Sequence, residues 1–194
     1  MKTTNHLSIM LLYKGGCPVR LKSLHAVIEY YLWAAPGAEL ILIEQDTHTP
    51  VDKRVIHETF ETDDKFFRRG LCFNLGYSVS TRDIILCVDS DILVEKHVLE
   101  DVGLLSENDL VVPYNKVRDI SKTDLSRVHS DVTNAFEVPS YTRGYANEGG
   151  AAFLRRETYR DIGGFTAGFI GYGADELLYI IRCNQLPGFG VVIL

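Results

Sequence analysis

The feature that most constrains this chain is a regular alternation of short apolar runs with stretches of helical period. Residues 7–13 (LSIMLLY) are apolar almost throughout and end at Gly15, Gly16 and Pro18. Leu21, Leu24, Val27, Ile28, Tyr31 and Leu32 then recur at helical spacing up to Pro36 and Gly37, which stop the helix. A second run, 40–43 (LILI), is closed by Glu44, Gln45 and Asp46. After a polar stretch the pattern predicts a helix over 65–79, a third apolar run at 84–88, a helix carrying Val94, Val98 and Leu99, and a fourth run at 110–112. Further strands are expected at 151–154 and 191–194, with a last helix over 174–183. Strands apolar on both faces and separated by helices predict an α/β fold, a mostly parallel central sheet flanked by helices. Residues 114–147 show no clear period and read as a long irregular segment, the kind that covers a substrate.

With 194 residues, 46% of them hydrophobic, the chain can build one domain over 1–194 with its own core. A net charge of −6 argues against a duplex nucleic acid as the main ligand, because such proteins carry a basic stripe. A phosphate-bearing small molecule stays open, held by local arginines or a metal. The four cysteines have no C-x-x-C spacing, and Cys72 and Cys87 lie in apolar runs. They read as buried thiols of a reducing compartment, and a cytoplasmic location is expected. No apolar run approaches the roughly 20 residues of a membrane span, and residues 7–13 are too short for a signal core.

The chemistry-bearing residues gather at the ends of these elements. The third run leads into Asp89-Ser90-Asp91. Ligands of open α/β sheets sit outside the carboxyl ends of strands, and in extended chain two acids two residues apart point to one side. Adjacent carboxylates repel unless a proton or a cation lies between them. A hard cation with few protein ligands, Mg²⁺ or Mn²⁺, suits such a set and completes its shell with water and phosphate oxygens. The alternative is a polar strand end with Asp91 capping the following helix. The segment 168–176 (GFIGYGADE) opens the last helix with Asp175 and Glu176 in its first turn. Either acid serves as a general base for a hydroxyl, or both merely complement the helix dipole. Asn147-Glu148-Gly149-Gly150 and Gly163-Gly164-Phe165 read as turns or as close backbone approaches. Arg69 and Asn74 share the helix over 65–79, where Arg69 is either solvated or a phosphate clamp.

In this order the segments resemble the inverting GT-A glycosyltransferases related to the β-1,4-galactosyltransferases. Leu42-Ile43-Glu44-Gln45 is similar to that family's V-I-E-Q strand end. Phe67, Arg69, Asn74, Gly76 and Tyr77 match F-x-R-x-x-x-x-N-x-G-[FY]. The D-x-D, Gly149-Gly150, Gly164-Phe165 and Gly171-Tyr172-Gly173-Ala174-Asp175-Glu176 follow in register, so the resemblance covers residues 40–182. It implies the GT-A nucleotide-diphospho-sugar transferase fold and transfer of a hexosyl group from a UDP-sugar to a hydroxyl of a glycan or other acceptor, with inversion. It implies Phe67 and Arg69 at the uridine diphosphate, Asp89 near ribose and metal, and Asp91 as direct ligand of Mn²⁺ or Mg²⁺. Gly149 and Gly150 would pass beside the donor sugar. Asp175 would hold the acceptor and Glu176 would be the base. Gln45 and Asn74 join the donor-binding set, and Pro18-Val19-Arg20 loosely resembles a nucleotide-contacting P-F-R, which brings in Arg20.

Three departures stand out. Tyr172 replaces a Trp and the acid pair reads Asp-Glu in place of Glu-Asp, while the metal-binding His expected after it has no counterpart, since no His follows His129. Two other functions therefore stay on the table: a nucleotide-sugar-binding module without turnover, and a sugar nucleotidyltransferase using residues 14–20 as its phosphate loop.

Overall fold

The computed structural model describes residues 4–63, 65–101, 105, 109–142, 150–168 and 191–193. In chain order these form β1 (Leu7–Lys14), α1 (Pro18–Ala34), β2 (Glu39–Gln45), β3 (Ile56–Phe60), α2 (Arg69–Val79), β4 (Ile84–Asp89) and α3 (Lys96–Glu100). Next come β5 (Leu110–Val112), β6 (Arg118–Ile120), α4 (Lys122–Ser130), a 3-10 turn (Val132–Asn134) and β7 (Ser140–Thr142). β8 (Ala151–Arg155), α5 (Arg156–Asp161) and β9 (Val191–Ile193) complete the set.

Among the described residues, seven strands make the main sheet, in the order β3-β2-β1-β4-β8-β5-β9. The pleat sorts β1 into two sets of side chains. Leu7, Ile9, Leu11 and Tyr13 pack with the buried face of α1, while Met10 and Leu12 pack with Cys72 and Phe73 of α2. The helices thus cover opposite faces, which is why these strands are apolar at nearly every position. Pro18 opens α1, where a missing N–H costs nothing. Tyr30 and Tyr31 of α1 then bond the chain beyond β4: Tyr30 OH donates to Val94 O at 2.7 Å and Tyr31 OH to Ile92 O at 3.1 Å.

The sheet is mostly parallel, as expected, with β8 running antiparallel to both β4 and β5. Other expectations are corrected by the structure. β3 lies in the stretch that reads as polar. It is an edge strand with Ile56 and Phe60 on one face and His57 and Thr59 on the other, too sparse a pattern to signal a strand. α2 starts at Arg69, later than expected, because Arg68 has non-helical angles and its N–H bonds the Gln45 side chain at 2.8 Å. α3 starts at Lys96 with Glu95 at its N-cap, so Asp91 does not cap it.

Residues 118–142 are also more regular than their composition implies. β6 and β7 pair antiparallel, Ser121 caps α4 by accepting from Asp124 N at 3.2 Å, and Val128, Ala135 and Val138 form a small core of their own. Phe136 meets Tyr30 of α1 with ring centroids 5.9 Å apart. The helix expected over 174–183 lies outside the described residues. Among the described residues, no helix is long and apolar enough to cross a membrane.

Candidate active site at the carboxyl ends of the strands

β1, β2 and β4 are parallel neighbours, so they bring Lys14, Gln45 and Asp89 to one edge of the sheet, with Lys14 paired to Gln45 and Leu12 to Asp89. Asp89 is the last residue of β4. Its N–H donates to Gly150 O at 3.0 Å across the β4–β8 junction, and its carbonyl accepts from Ile92 N at 3.1 Å. The second bond closes a tight turn over Ser90 and Asp91, so the pleat ends at Asp89. The two acids are therefore arranged by this turn and not by extended chain. Ser90 is buried, and Asp91 is exposed on the turn.

Arg69, the first residue of α2, reaches this strand end. Its Nε donates to Asp89 Oδ1 at 3.1 Å, and its guanidinium lies 4.9 Å from the Phe73 ring centroid. The side chain is 5% exposed, against 31% for Asp89. A fixed cation is thus enclosed in protein while its carboxylate partner faces outward. Phe67, two residues earlier, packs partly buried against the α2-side core.

Gly150 sits beside Asp89 for a steric reason. A Cβ there would collide with Ile92 Cδ1 and approach the Tyr114 hydroxyl at 3.1 Å. The Gly150 N–H donates to that hydroxyl at 3.0 Å. Tyr114, which the sequence reading passed over, thus joins β8 to the chain after β5. Its sequence neighbours, Pro113 and Asn115, carry no signal that would single it out.

Two expected donor-binding residues bond the protein itself. Asn74 Nδ2 donates to Phe165 O at 2.9 Å, and its Oδ1 accepts from Phe165 N at 3.0 Å and Tyr159 OH at 2.9 Å. It fastens α2 to the turn at Gly163 and Gly164, which have φ of 74° and 68°. Gln45 is wholly buried and its amide bonds Asp46, Thr62, Phe66 and Arg68. Arg20 stands half-buried in the first turn of α1, close enough to Tyr13 for its charge to oppose the upward pull of burial and of Glu44 on the Tyr13 hydroxyl. Gly149, Asp175 and Glu176 lie outside the described residues.

Lys14, Asp46 and Thr62 are the other members that sequence reasoning missed. Asp46 has φ 62°, and its carboxyl is held down at about 2 by the Lys14 ammonium at 2.7 Å; burial opposes this, and the Thr62 N–H and the Gln45 amide assist it. Among the described residues no three His, Cys, Asp or Glu side chains converge as a metal site. The oxygen donors available are Asp89 and Asp91, a set that fits only a hard cation taking most of its ligands from water and substrate.

The fold of this sheet and its helices is that of the GT-A glycosyltransferases. The chain superposes on a mutant of Drosophila β1,4-galactosyltransferase 7 in complex with manganese, UDP-Gal and xylobiose with a TM-score of 0.60 at 16% identity, covering 97% of this chain and 64% of that one. It matches mannosyltransferase PcManGT from Pyrobaculum calidifontis in complex with GDP-Man and Mn²⁺ with a TM-score of 0.60 at 13% identity, over 97% of this chain and 54% of that one. For S. aureus TarS the values are 0.60 and 12%, over 97% and 57%. The chain thus spans less than two thirds of the length of each, and at these identities the likeness establishes the fold. No protein-family model matches the sequence, and no curated protein does.

Proposed function

We propose that this chain is the nucleotide-sugar-binding domain of a glycosyltransferase, 1–194 forming one domain, that moves a hexosyl group from a UDP-sugar to a hydroxyl of a glycan or other acceptor with inversion. The observation that carries this reading is the Arg69–Asp89 pair at the end of β4, beside Gly150 and the exposed Asp91. It combines a buried cation, an outward carboxylate and a close backbone approach at the sheet edge where α/β folds bind ligands. The motif order resembling the β-1,4-galactosyltransferases supports UDP as the nucleotide and inversion as the outcome. The neighbours crystallised with UDP-Gal, GDP-Man and manganese support the broader class.

In this reading Asp91 and Asp89 hold Mn²⁺ or Mg²⁺, which supplies Lewis-acid neutralisation of the departing diphosphate. Phe67 and Arg69 bind the nucleotide diphosphate, Arg20 lies toward the nucleotide, and Gly149 and Gly150 flank the sugar. Glu176 takes the proton of the acceptor hydroxyl, and Asp175 orients that hydroxyl.

Titration calorimetry with UDP and Mn²⁺ tests the site, and Asp91→Ala is expected to abolish the metal-dependent binding. Unchanged binding in that variant overturns the assignment. Slow release of free sugar from the UDP-sugar marks a transferase. UDP affinity without release marks a binding module, and pyrophosphate formed from UTP marks a nucleotidyltransferase.

A further inference from the structure

Lys14, Gln45 and Asp46 end two adjacent strands, and their polar atoms converge on the approach to α2. Gln45 Nε2 lies 3.0 Å from each of Thr62 Oγ1, Phe66 O and Asp46 Oδ2, while its Oε1 accepts from Arg68 N at 2.8 Å. Asp46 Oδ1 accepts from Thr62 N at 2.7 Å and Oδ2 from Lys14 Nζ at 2.7 Å; Lys14 Nζ also reaches Phe66 O at 3.3 Å. The φ of 62° at Asp46 is one that Asp tolerates better than most residues. It turns the chain so that Asp46 N–H donates to Phe60 O at 2.9 Å while the carboxylate caps Thr62.

We propose that Gln45 and Asp46 are positioning residues for the donor: they tie Thr62 and residues 66–68 to the ends of β1 and β2, and so set Phe67 and Arg69, without touching the donor themselves. This rests on the glycosyltransferase reading above and alters one part of it, the role of Gln45. A side chain with no exposed surface, its amide directed into four neighbours, has nothing left to offer a ligand. What it controls is the backbone one residue before α2. Arg69 follows directly on the Arg68 N–H that Gln45 holds, and Arg69 in turn bonds Asp89 at 3.1 Å.

The test compares Gln45→Ala, Asp46→Ala and Asp46→Asn in the wild-type and Arg69→Lys backgrounds. It reads UDP affinity with Mn²⁺ by calorimetry and amide exchange over residues 60–69 by mass spectrometry. Each alanine variant is expected to weaken UDP binding roughly tenfold, the equivalent of one lost buried hydrogen bond, and to speed exchange of the Thr62 and Arg68 amides. Asp46→Asn, which keeps an acceptor for Thr62 N and tolerates the same φ, loses less. Because the effect passes through Arg69, the further loss in Arg69→Lys shrinks to less than about twofold, whereas independent sites add. Additive losses, or unchanged exchange at those two amides, overturn the positioning role. A wild-type protein that binds no UDP overturns the glycosyltransferase reading instead.

Discussion

Arg69 Nε lies 3.1 Å from Asp89 Oδ1, joining the first turn of α2 to the last residue of β4. The pair is asymmetric, with the guanidinium enclosed and stacked on Phe73 while the carboxylate is partly in water. Arg69→Ala removes a charged donor and the packing of its stem. Asp89 can recruit solvent, which limits the cost to about 2 kcal/mol, or roughly 4–8 °C in Tm for a chain of this length. Arg69→Lys keeps the charge but lacks the planar fork, and calorimetric melting should place it between the two.

Gly150→Ala should disturb the Ser90–Asp91 turn without touching either acid. The added Cβ pushes on Ile92 Cδ1, and Ile92 N is the donor that closes the turn on Asp89 O. Overpacking of this kind costs about 1–3 kcal/mol. Ile92→Val deletes the colliding methyl, so Gly150→Ala/Ile92→Val should recover most of the stability and of the Mn²⁺-dependent UDP affinity. A double variant no better than Gly150→Ala would show that the damage lies elsewhere, at the Tyr114 hydroxyl for instance.

Glu44 makes stability fall in acid. Burial pushes its pKa up, but the hydroxyls of Thr47 and Thr49, the Thr49 N–H and His57 outweigh burial and hold it below the ordinary 4.5. A carboxyl with a lowered native pKa binds fewer protons folded than unfolded. Its contribution is complete above pH 4.5 and is lost as the pH falls through the native value. Urea midpoints measured from pH 6 to pH 3 should therefore decline below 4.5 in the wild type. The decline should be shallower in Glu44→Gln, and not absent, since Glu39 shares the lowered pKa.

Cys17 should be the most reactive of the three described cysteines. It is exposed just ahead of α1, and the N–H groups of Arg20 and Val19, with the Arg20 charge, hold its thiol below the usual value. Burial pushes Cys72 up to about 12 and raises Cys87 as well. Brief iodoacetamide treatment near pH 7.5, followed by peptide mapping, should modify Cys17 well before the other two. With Arg20 toward the nucleotide, UDP and Mn²⁺ should slow that labelling. Equal labelling of Cys17 with and without nucleotide would remove Arg20 from the proposed site.

The main strands and helices were legible because their signal is local. A strand buried on both faces is an unbroken apolar run, as in residues 7–13 and 84–88, and α1 repeats its apolar residues every three or four positions. Where burial is one-sided or split among small elements the signal fades. β3 exposes most of its polar side chains, and the β6–α4–β7 unit spreads a small core over Ile120, Val128, Ala135 and Val138. The antiparallel sense of β8 leaves no local trace, because strand direction depends on where the preceding chain returns to the sheet.

The same division runs through the site. The sequence by itself determined that Asp89 ends a buried strand, that glycines precede β8, and that Arg69 and Asn74 share a helix, since these follow from composition within a few residues. Only the tertiary structure decided what those side chains do. Arg69 meets Asp89 across twenty residues of chain, Asn74 is spent on Phe165 and Tyr159, and Gln45 holds the backbone before α2. Hydrogen-bond partners are chosen by distance in space, and that distance is set by how the apolar faces of α1 and α2 seat on the sheet.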